Sequence, residues 1–422
     1  MMNSKNIISI SPWAFFWSMG KNKGMASDYK FLIGIAKRGW NVAHIAPMSK
    51  GLKYREDIEG IAITRINIPF YNYQYKNYIL QYLFKNLSWL FLNLKYLNLI
   101  IKMFHCKSYD IIYCHTAVCA PAAFLAGKIY RIPVIVRLYG TFLYPCLGSW
   151  KKMFLNFQEV IGFKLPVTQL IIGNDGTKGD KVAIKLGIPR ERIKFWRNGV
   201  DKHIYKKEFN TEKFRESLNI NSENKVVLAV SRLVRWKRLD RLVKAIPNIV
   251  SQYSKAIFII VGDGPERETL EKLAQELGVI DYIRFIGAVT HDKVVEFINA
   301  ADIFVSVNDI SNISNGLIEA MTCGKCIVAL DTGDTSELIK QNKTGKLVKS
   351  ENENMIPGEL SKTILDVLKN EDLCLQISYN ARTYAQNYFQ TWDDRIEMEI
   401  QLLEELIAKN YFKNGLARKS FI

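Results

Sequence analysis

Acidic residues are scarce in the first 200 positions of this 422-residue chain, where nine Asp and Glu stand against 28 Lys and Arg. Positions 201–422 hold 32 acidic and 30 basic residues, so the formal net charge of +17 arises wholly in the first part. An excess confined to one part indicates an anionic partner: a nucleic acid, an anionic membrane or an anionic substrate. A lysine-rich surface that is merely solvated remains the alternative.

The sequence also lacks the paired cysteines of a zinc site. Of its seven cysteines only Cys323 and Cys326 form a Cys-x-x-Cys pair, and no second pair follows at the required spacing. Their position, at the expected end of a helix and start of a strand, favours buried structural side chains. The odd count, and the lack of a secretory signal before the strand-like segment 5–10, predict a reducing, cytoplasmic location.

A long apolar run without charges is missing as well. The segment 71–104 is crowded with Tyr, Phe, Trp and Leu, but lysines recur through its middle, which argues against a transmembrane span. At 100° per residue its polar side chains form one narrow stripe: Gln81, Lys85, Ser88, Lys95 and Lys102. Two interpretations remain open. The segment is either a core helix with one solvent-exposed face or a basic, aromatic element at a membrane interface.

Apolar runs of strand length alternate with segments of helical length along the whole chain. The strand-like runs are 7–10, 42–45, 61–66, 111–114, 134–138, 170–172 and 193–196 in the first half, and 226–230, 257–261, 282–285, 303–307, 326–330 and 346–348 in the second. This alternation predicts βαβ units in parallel sheets that helices cover on both faces. Because 422 residues exceed one ordinary core, we predict two doubly wound α/β domains joined through the polar stretch 206–224.

Three polar segments of the second half follow predicted strands, at the edge where parallel sheets bind ligands. After the first strand, Arg232 and Lys237 provide two cations suited to a diphosphate. After the second, a turn starting at Gly262 lets the backbone approach a ligand, although such a turn alone is weak evidence. After the fourth, a helix is predicted to begin near Asn315, where free N–H groups could hold phosphate oxygens. Glu319, one turn further, could accept hydrogen bonds from a ribose diol.

The same half contains a series of longer motifs. They are Ser231-Arg232-Leu233 with Lys237, Val261-Gly262-Asp263-Gly264-Pro265, Phe285-Ile286-Gly287, Ala300-Ala301-Asp302, Glu319-Ala320-Met321-Thr322-Cys323-Gly324-Lys325 and Glu337, preceded by Asn198-Gly199-Val200-Asp201. Together they resemble the family 4 glycosyltransferases, and the resemblance covers most of the chain. It implies a GT-B fold, in which two Rossmann-like domains face a central cleft. Residues 1–205 would bind the acceptor, 206–390 the nucleotide sugar, and 391–422 would form a helix that returns to the first domain.

The resemblance also implies roles for single residues. Arg232 and Lys237 would neutralise the donor diphosphate as it leaves, as a divalent metal does elsewhere. Glu319 would bind the donor ribose, and Gly287 and Val289 would cup the base. The remaining donor-binding candidates are Gly24, Gly262, Ser314, Asn315, Gly316 and Leu317. Because the sequence has no Asp-x-Asp site, we expect metal-independent transfer from a UDP- or GDP-linked donor, with no further cofactor.

The sequence departs from the family pattern on the sugar and acceptor side. The first Glu of the paired-glutamate motif, which contacts the donor sugar in the family, is replaced by Ser311, so contact with the sugar could pass to Asn312, Ser314 or Asn315. Tyr139-Gly140-Thr141 stands where the family often has His-Gly, and His115 fits a common family position but could equally be structural. The acceptor-side or sugar-side candidates are His115, Tyr139, Gly140 and Thr141. The turn 174–180 replaces a more usual Ser-Glu turn and has no assigned role beyond a helix start near the cleft.

These observations predict a retaining glycosyltransferase without a protein nucleophile. The basic first half suggests an enzyme held peripherally on the inner, anionic face of a membrane, extending a lipid-linked or polysaccharide acceptor. A nucleotide-sugar epimerase or a phosphorylase of the same fold is one alternative, although no motif supplies the cofactor lysine of a phosphorylase. A basic nucleic-acid-binding protein is another, but no known reading motif is present and the ligand signals lie in the half that is not basic. No nucleic-acid partner is therefore expected.

Overall fold

A computed structural model describes residues 5–14, 27–71, 77–201, 209–349 and 352–413. Within these ranges the strands are β1 Asn6–Ile10, β2 Asn41–Pro47, β3 Arg55–Ile58, β4 Ile61–Ile66, β5 Ile111–His115, β6 Val134–Leu138, β7 Gln169–Gly173, β8 Ile193–Trp196, β9 Lys225–Val230, β10 Ala256–Val261, β11 Ile283–Gly287, β12 Ile303–Ser306, β13 Cys326–Leu330 and β14 Lys346–Val348. Each predicted strand-like run forms a strand, so the predicted alternation is confirmed.

Helices connect these strands throughout the described ranges. They are α1 Ser27–Ala36, α2 Tyr78–Cys106, α3 Ala120–Tyr130, α4 Trp150–Leu155, α5 Phe157–Lys164, α6 Gly179–Lys185, α7 Thr211–Ser217, α8 Leu239–Val250, α9 Arg267–Glu276, α10 His291–Ala300, α11 Asn315–Thr322, α12 Thr335–Leu338, α13 Ile356–Lys369, α14 Glu371–Tyr388 and α15 Trp392–Lys413. Short 3-10 turns lie at Ala117–Cys119, Tyr144–Cys146, Arg190–Arg192, Arg235–Lys237, Ile280–Tyr282 and Glu353–Met355.

The first sheet has the strand order β3-β4-β2-β1-β5-β6-β7-β8. All its neighbours pair in parallel except β3, which pairs antiparallel with β4. The sequence analysis missed β3, because Arg55–Ile58 is a polar edge strand without an apolar run. Its turn to β4 places both Glu59 and Gly60 at positive φ, 53° and 84°, a geometry that suits two-residue hairpins.

The second sheet has the order β11-β10-β9-β12-β13-β14 and is parallel throughout. Its strand order reverses between β9 and β12, and that of the first sheet reverses between β1 and β5. Buried apolar side chains cover both faces of each sheet. The predicted doubly wound α/β architecture is therefore confirmed.

The last helix, α15, returns to the first sheet, as expected. Its buried residues Ile400, Leu403 and Ile407 share one core with Ile7 and Phe31. Just before α15 the chain runs beside the other connection between the halves, where Val200 N donates to Gln390 O (2.9 Å) and Trp392 N donates to Val200 O (3.0 Å). A Cβ on Gly199 would lie 2.6 Å from the Trp392 backbone, so a glycine is required at this crossing.

Helix α2 has a buried face and an unusually apolar exposed face. Leu92, Tyr96 and Ile100 belong to the core of the first sheet. Ser88 also faces inward and is only 8% exposed, so the predicted continuous polar stripe is wrong at this position. The exposed side instead carries leucines between its lysines: Leu80, Leu83, Leu90 and Leu94. No helix in the described ranges has the length and apolarity to cross a bilayer.

Candidate active site

A cleft of about 680 Å³ lies between the carboxyl edges of the two sheets. Loops that follow β9 and β12, the two strands where the order of the second sheet reverses, form one wall. Loops that follow β5, β6 and β7 of the first sheet form the other wall. Because open parallel sheets bind ligands at such reversals, both halves direct a ligand-binding edge into this space.

The loop after β9 places two cations in the cleft. Arg232 and Lys237 both line it, and neither pairs with a carboxylate of any residue that the structure describes. The Lys237 Nζ lies 4.2 Å from the centre of the Trp236 ring. Burial, and then the positive charge of Arg232, lower the pKa of Lys237 to about 8. The more distant carboxylate of Asp175 acts against this lowering but forms no ion pair with Lys237. Two neighbouring cations outside any ion pair favour the binding of an anion.

Helix α11 begins in the same wall. Ser314 and Asn315 line the cleft, and Ser314 Oγ caps the helix by accepting from Leu317 N at 3.3 Å. Across the described chain no acceptor meets the N–H groups of Asn315 and Gly316, so the positive helix end is available to phosphate oxygens. The Leu317 side chain is fully buried in the core and its N–H belongs to the cap, so neither group faces a ligand.

The predicted glycine turns support the cleft and do not line it. Gly262 has φ +134°, and a Cβ there would lie 1.8 Å from Ser231 O, so this glycine lets the turn pack against the cation loop. Gly287, at φ +84°, accepts a hydrogen bond from Gly262 N at 2.9 Å. Val289 packs against the apolar core of the second half. Gly24 lies outside the described residues.

Glu319 is part of a polar chain that connects the two halves. It is 9% exposed, and its Oε1 lies 2.8 Å from His291 Nε2. His291 Nδ1 lies 3.4 Å from Asp201 Oδ2, and Asp201 pairs with Lys30 of α1. Burial lowers the pKa of His291, but the hydrogen bond and charge of Glu319 outweigh it and hold that pKa above its usual value. Sequence reasoning missed His291, since a histidine in the first turn of a helix carries no motif.

The first half contributes Tyr139, Gly140 and Thr141 to the cleft, but not His115. His115 is fully buried, with Nε2 2.9 Å from Ser9 Oγ and Nδ1 2.6 Å from the Tyr139 hydroxyl. Burial lowers the pKa of His115 well below its usual value, so the ring is neutral. Instead of reaching a ligand, His115 positions Tyr139.

The turn after β7, which had no assigned role, also enters the cleft. Asp175 lines it, and Thr177 donates to Asp175 Oδ1 from both N (3.1 Å) and Oγ1 (2.7 Å). Ser311 Oγ, from the second half, donates to Asp175 O at 2.6 Å. Burial raises the pKa of the Asp175 carboxyl to about 6, although Thr177 and Lys237 act against this. No local sequence signal predicts this contact, because its partners are 136 positions apart.

A buried cluster of charges underlies the same wall. Arg137 and Arg395 line the cleft, and both pair with Glu399 of α15, at 3.1 Å and 2.7 Å. The Tyr113 hydroxyl donates to the second carboxylate oxygen of Glu399 at 2.9 Å. The cluster connects α15 to the cleft wall. Its two arginines form ion pairs with Glu399, whereas Arg232 and Lys237 form none among the described residues.

Groups of His, Cys, Asp and Glu that could hold a metal ion are not found among the described residues. The arrangement supplies cations, helix N–H groups, hydroxyls and carboxylates. Its chemistry is therefore the recognition of a phosphorylated, hydroxyl-rich ligand.

Comparisons with known proteins identify the family. Residues 29–203 match the model described as Glycosyltransferase Family 4, and residues 210–384 match Glycosyl transferases group 1. The chain belongs to the family 4 glycosyltransferases. This glycosyltransferase is 25% identical to an uncharacterized glycosyltransferase of Methanocaldococcus jannaschii. The match extends over 263 residues, which are 61% of this chain and 67% of the relative. It is 32% identical to a GDP-mannose-dependent alpha-(1-6)-phosphatidylinositol monomannoside mannosyltransferase of Mycobacterium tuberculosis. That match extends over 151 residues, which are 34% of this chain and 39% of the relative.

The glycosyltransferase also resembles solved structures over nearly its full length. Anabaena Alr3699/HepE in complex with UDP aligns with a TM-score of 0.70 and 20% identity, covering 95% of this chain and 99% of that one. At this identity the likeness shows the fold, which is GT-B.

Proposed function

We propose that this enzyme transfers a sugar from a UDP- or GDP-linked donor to a lipid-linked or polysaccharide acceptor, with retention of configuration and without a metal ion. The observation that carries the proposal is the cleft wall formed by Arg232, Lys237 and the start of α11 at Asn315. Its two cations form no ion pair with any described residue, and no acceptor among the described residues meets the N–H groups of Asn315 and Gly316. A nucleoside diphosphate fits this wall as ligand and as leaving group.

The reaction breaks the bond between the sugar C1 and the terminal phosphate oxygen of the donor. Arg232, Lys237 and the positive end of α11 stabilise the charge that develops on the departing diphosphate. The acceptor hydroxyl forms the new C1–O bond from the face that the diphosphate leaves, and a phosphate oxygen takes its proton. Closure of the two walls holds the reactants together and excludes water. Glu319 gives up its hydrogen bond to His291 and accepts hydrogen bonds from the ribose hydroxyls instead.

The comparisons support the donor and acceptor classes. One relative is GDP-mannose-dependent and acts on a phosphatidylinositol mannoside, and a structural neighbour binds UDP. The proposal is tested by incubating the full chain with UDP- and GDP-linked sugars, with and without candidate lipid or glycan acceptors, in the presence of a chelator. We expect release of nucleoside diphosphate that depends on the acceptor, and an NMR coupling that shows retention. Donor conversion without an acceptor would instead indicate an epimerase, and product formation that requires inorganic phosphate a phosphorylase.

A surface beside the cleft supports a membrane-bound acceptor. We call it the α2–α5 face, because it extends from α2 over α4 to α5. It is defined by Leu83 and Leu94 of α2 and by Trp150 and Phe154 of α4, which are between 50% and 74% exposed. Exposed lysines lie among these side chains: Lys85, Lys95, Lys151 and Lys152. The same helices form the edge of the cleft through Tyr82, Lys85, Asn86 and Gln158. Apolar side chains mixed with lysines favour an anionic membrane interface, from which a lipid-linked acceptor could enter the cleft.

Vesicle flotation tests the α2–α5 face. We expect the full chain to bind vesicles with anionic lipid at low salt, and the double variant Trp150→Ser, Phe154→Ser to bind at least about tenfold more weakly, because two exposed aromatic groups lose their apolar contact. The matched control is Leu375→Ser, Tyr379→Ser on α14, which are 62% and 72% exposed. Equal loss in both variants, or no binding by the wild type, would contradict the membrane proposal and leave the transfer reaction standing.

A further inference from the structure

The cleft has a cationic wall and a wall with a carboxylate that is open to a ligand. Among its lining residues, Glu159 already accepts a hydrogen bond from Thr141 Oγ1 at 2.6 Å. Asp175 differs, because both of its donors from Thr177 go to Oδ1. Among the described residues no other residue donates a hydrogen bond to Asp175 Oδ2. This oxygen lies beside Gly140, which also lines the cleft, and it has hydrogen-bonding capacity left for a ligand.

The surroundings hold Asp175 in this position. A Cβ on Gly140 would lie 2.2 Å from Asp175 Oδ2, and Gly140 has φ +118°, so the carboxylate occupies space that any other residue would fill. On the other side Ser311 Oγ binds the Asp175 carbonyl across the two halves. The position of Asp175 thus depends on both halves of the enzyme.

The carboxylate also lies close to the proposed diphosphate site. Lys237 and Asp175 line the same cleft. The charge of Asp175 acts to raise the pKa of Lys237, and the charge of Lys237 acts to lower the pKa of Asp175. In a nucleotide sugar the sugar is bonded directly to the terminal phosphate. A sugar whose diphosphate binds at Lys237 would enter the same cleft that Asp175 lines, and its hydroxyls can donate hydrogen bonds to a carboxylate.

Ser311 packs closely against the turn that carries Asp175. Ser311 is 7% exposed, and a Cβ on Gly176 would lie 2.3 Å from Ser311 Oγ, so only a glycine fits beside this serine. A Cβ on Gly333 would likewise lie 3.1 Å from the Ser311 Cβ. The turn of the first half and the loop of the second half are therefore in close contact at Ser311.

From these contacts we infer that Asp175 of the first half accepts hydrogen bonds from the donor sugar and so determines which sugar is transferred, with Ser311 as the residue that positions it. The inference rests on the proposed function. It makes sugar recognition dependent on both halves, because the diphosphate is held by one wall and the sugar by the other. Donor sugars would therefore bind with full affinity only when the walls are closed.

The test compares the binding of free diphosphates and of nucleotide sugars to the full chain. Dissociation constants for UDP, GDP, UDP-glucose and GDP-mannose are measured by calorimetry for the wild type, Asp175→Asn and Asp175→Ala. We expect the preferred nucleotide sugar to bind about 10- to 100-fold more weakly to both variants, the effect of losing a hydrogen bond to a charged group. Affinity for the free diphosphate should not weaken, since its contacts come from the second half and loss of the carboxylate near Lys237 removes a repulsion. Glu216→Gln, an exposed acid on α7 outside the cleft lining, is the matched control and leaves both affinities unchanged.

A pH profile separates recognition from a merely structural role. In the wild type the sugar-dependent part of the affinity declines as pH falls through about 6, where the Asp175 carboxyl takes up a proton. In Asp175→Asn this decline is absent. Equal weakening of diphosphate and nucleotide sugar, or an unchanged pH profile in Asp175→Asn, would overturn the inference. Failure of the wild type to bind any UDP- or GDP-linked ligand would overturn the proposed function itself, and the inference with it.

Discussion

The two walls of the cleft differ in how their charges are balanced. On the second-half wall, Arg232 and Lys237 form no ion pair with any described residue. On the first-half wall, Arg137 and Arg395 share the carboxylate of Glu399. The half with the overall positive charge thus holds its cleft arginines in ion pairs, and the nearly neutral half has cations outside any ion pair. Net charge therefore describes the outer surface of the first half, whereas the ligand class follows from which charges are left unpaired.

This difference suggests a division of labour. In the proposed reaction the second-half wall would bind the diphosphate, which every donor shares. The first-half wall, with Tyr139, Thr141 and Asp175, would meet the sugar and the acceptor, which differ between enzymes. Changes to the two walls should therefore have separable effects.

Removal of Lys237 should have the largest effect. Lys237→Met deletes a cation that stabilises the leaving diphosphate, and we expect donor turnover to fall by about 100-fold or more. The measurement is nucleoside diphosphate release under saturating donor. Lys244→Met, the same change on the exposed face of α8, is the matched control, since Lys244 pairs only with Asp240 among the described residues. A loss in Lys237→Met no greater than in the control would remove the distinction between the walls.

The next effect concerns the pH dependence of diphosphate binding. Because the pKa of Lys237 is lowered to about 8, this cation loses its proton as pH rises through that value in the free enzyme. A bound diphosphate favours the charged form, so affinity should decline between about pH 7.5 and 9.5. Calorimetry at several pH values measures this decline. In Lys237→Arg the side chain stays charged, and the profile should be flat; a decline of the same size there would exclude Lys237 as its origin.

A smaller effect is expected at the polar chain between the halves. The folded-state pKa of His291 is raised, so its contribution to stability is fully present below the unfolded value and is lost as pH rises through the folded value. His291→Gln should therefore destabilise the enzyme by about 1 kcal/mol at pH 5.5 and less at pH 9. Thermal unfolding at the two pH values measures this. A larger destabilisation at pH 9 would mean that His291 is neutral in the folded enzyme.

The smallest effect should be a gain in stability. Burial raises the folded-state pKa of Asp175 above its unfolded value, so its ionised form opposes folding once pH exceeds about 6. Asp175→Asn should raise the melting temperature of the ligand-free enzyme at pH 8, and raise it less at pH 5, where the wild-type carboxyl is mostly protonated. A melting temperature lowered at pH 8 would show that the carboxylate is a structural element.

The sequence predicted the second-half wall better than the first. Alternating apolar runs specified the strands, and the loop after each strand followed from the geometry of parallel sheets. Arg232, Lys237 and Asn315 could be placed on the cleft in this way. The edge strand β3 was missed because its residues are polar.

Three features of the site could not be predicted from the local sequence pattern. The turn that carries Asp175 was expected near the cleft because it follows a strand, but its contact with Ser311 forms only when the two halves meet. His115 lies beside the cleft but is buried, and burial cannot be read from a single histidine. Glu399 neutralises Arg137 from the last helix, so sequence spacing gave no sign of this pair.

The most direct test of the account is a thermal-shift measurement of the wild type in EDTA with UDP, GDP, ADP and CMP, repeated with Lys237→Met. A ligand at 100 times its dissociation constant adds about 2.7 kcal/mol of stability. We expect UDP or GDP to raise the melting temperature of the wild type without metal, and this rise to be lost in Lys237→Met. No rise with any nucleotide, or a rise that requires added metal or persists in the variant, would contradict the proposed diphosphate site.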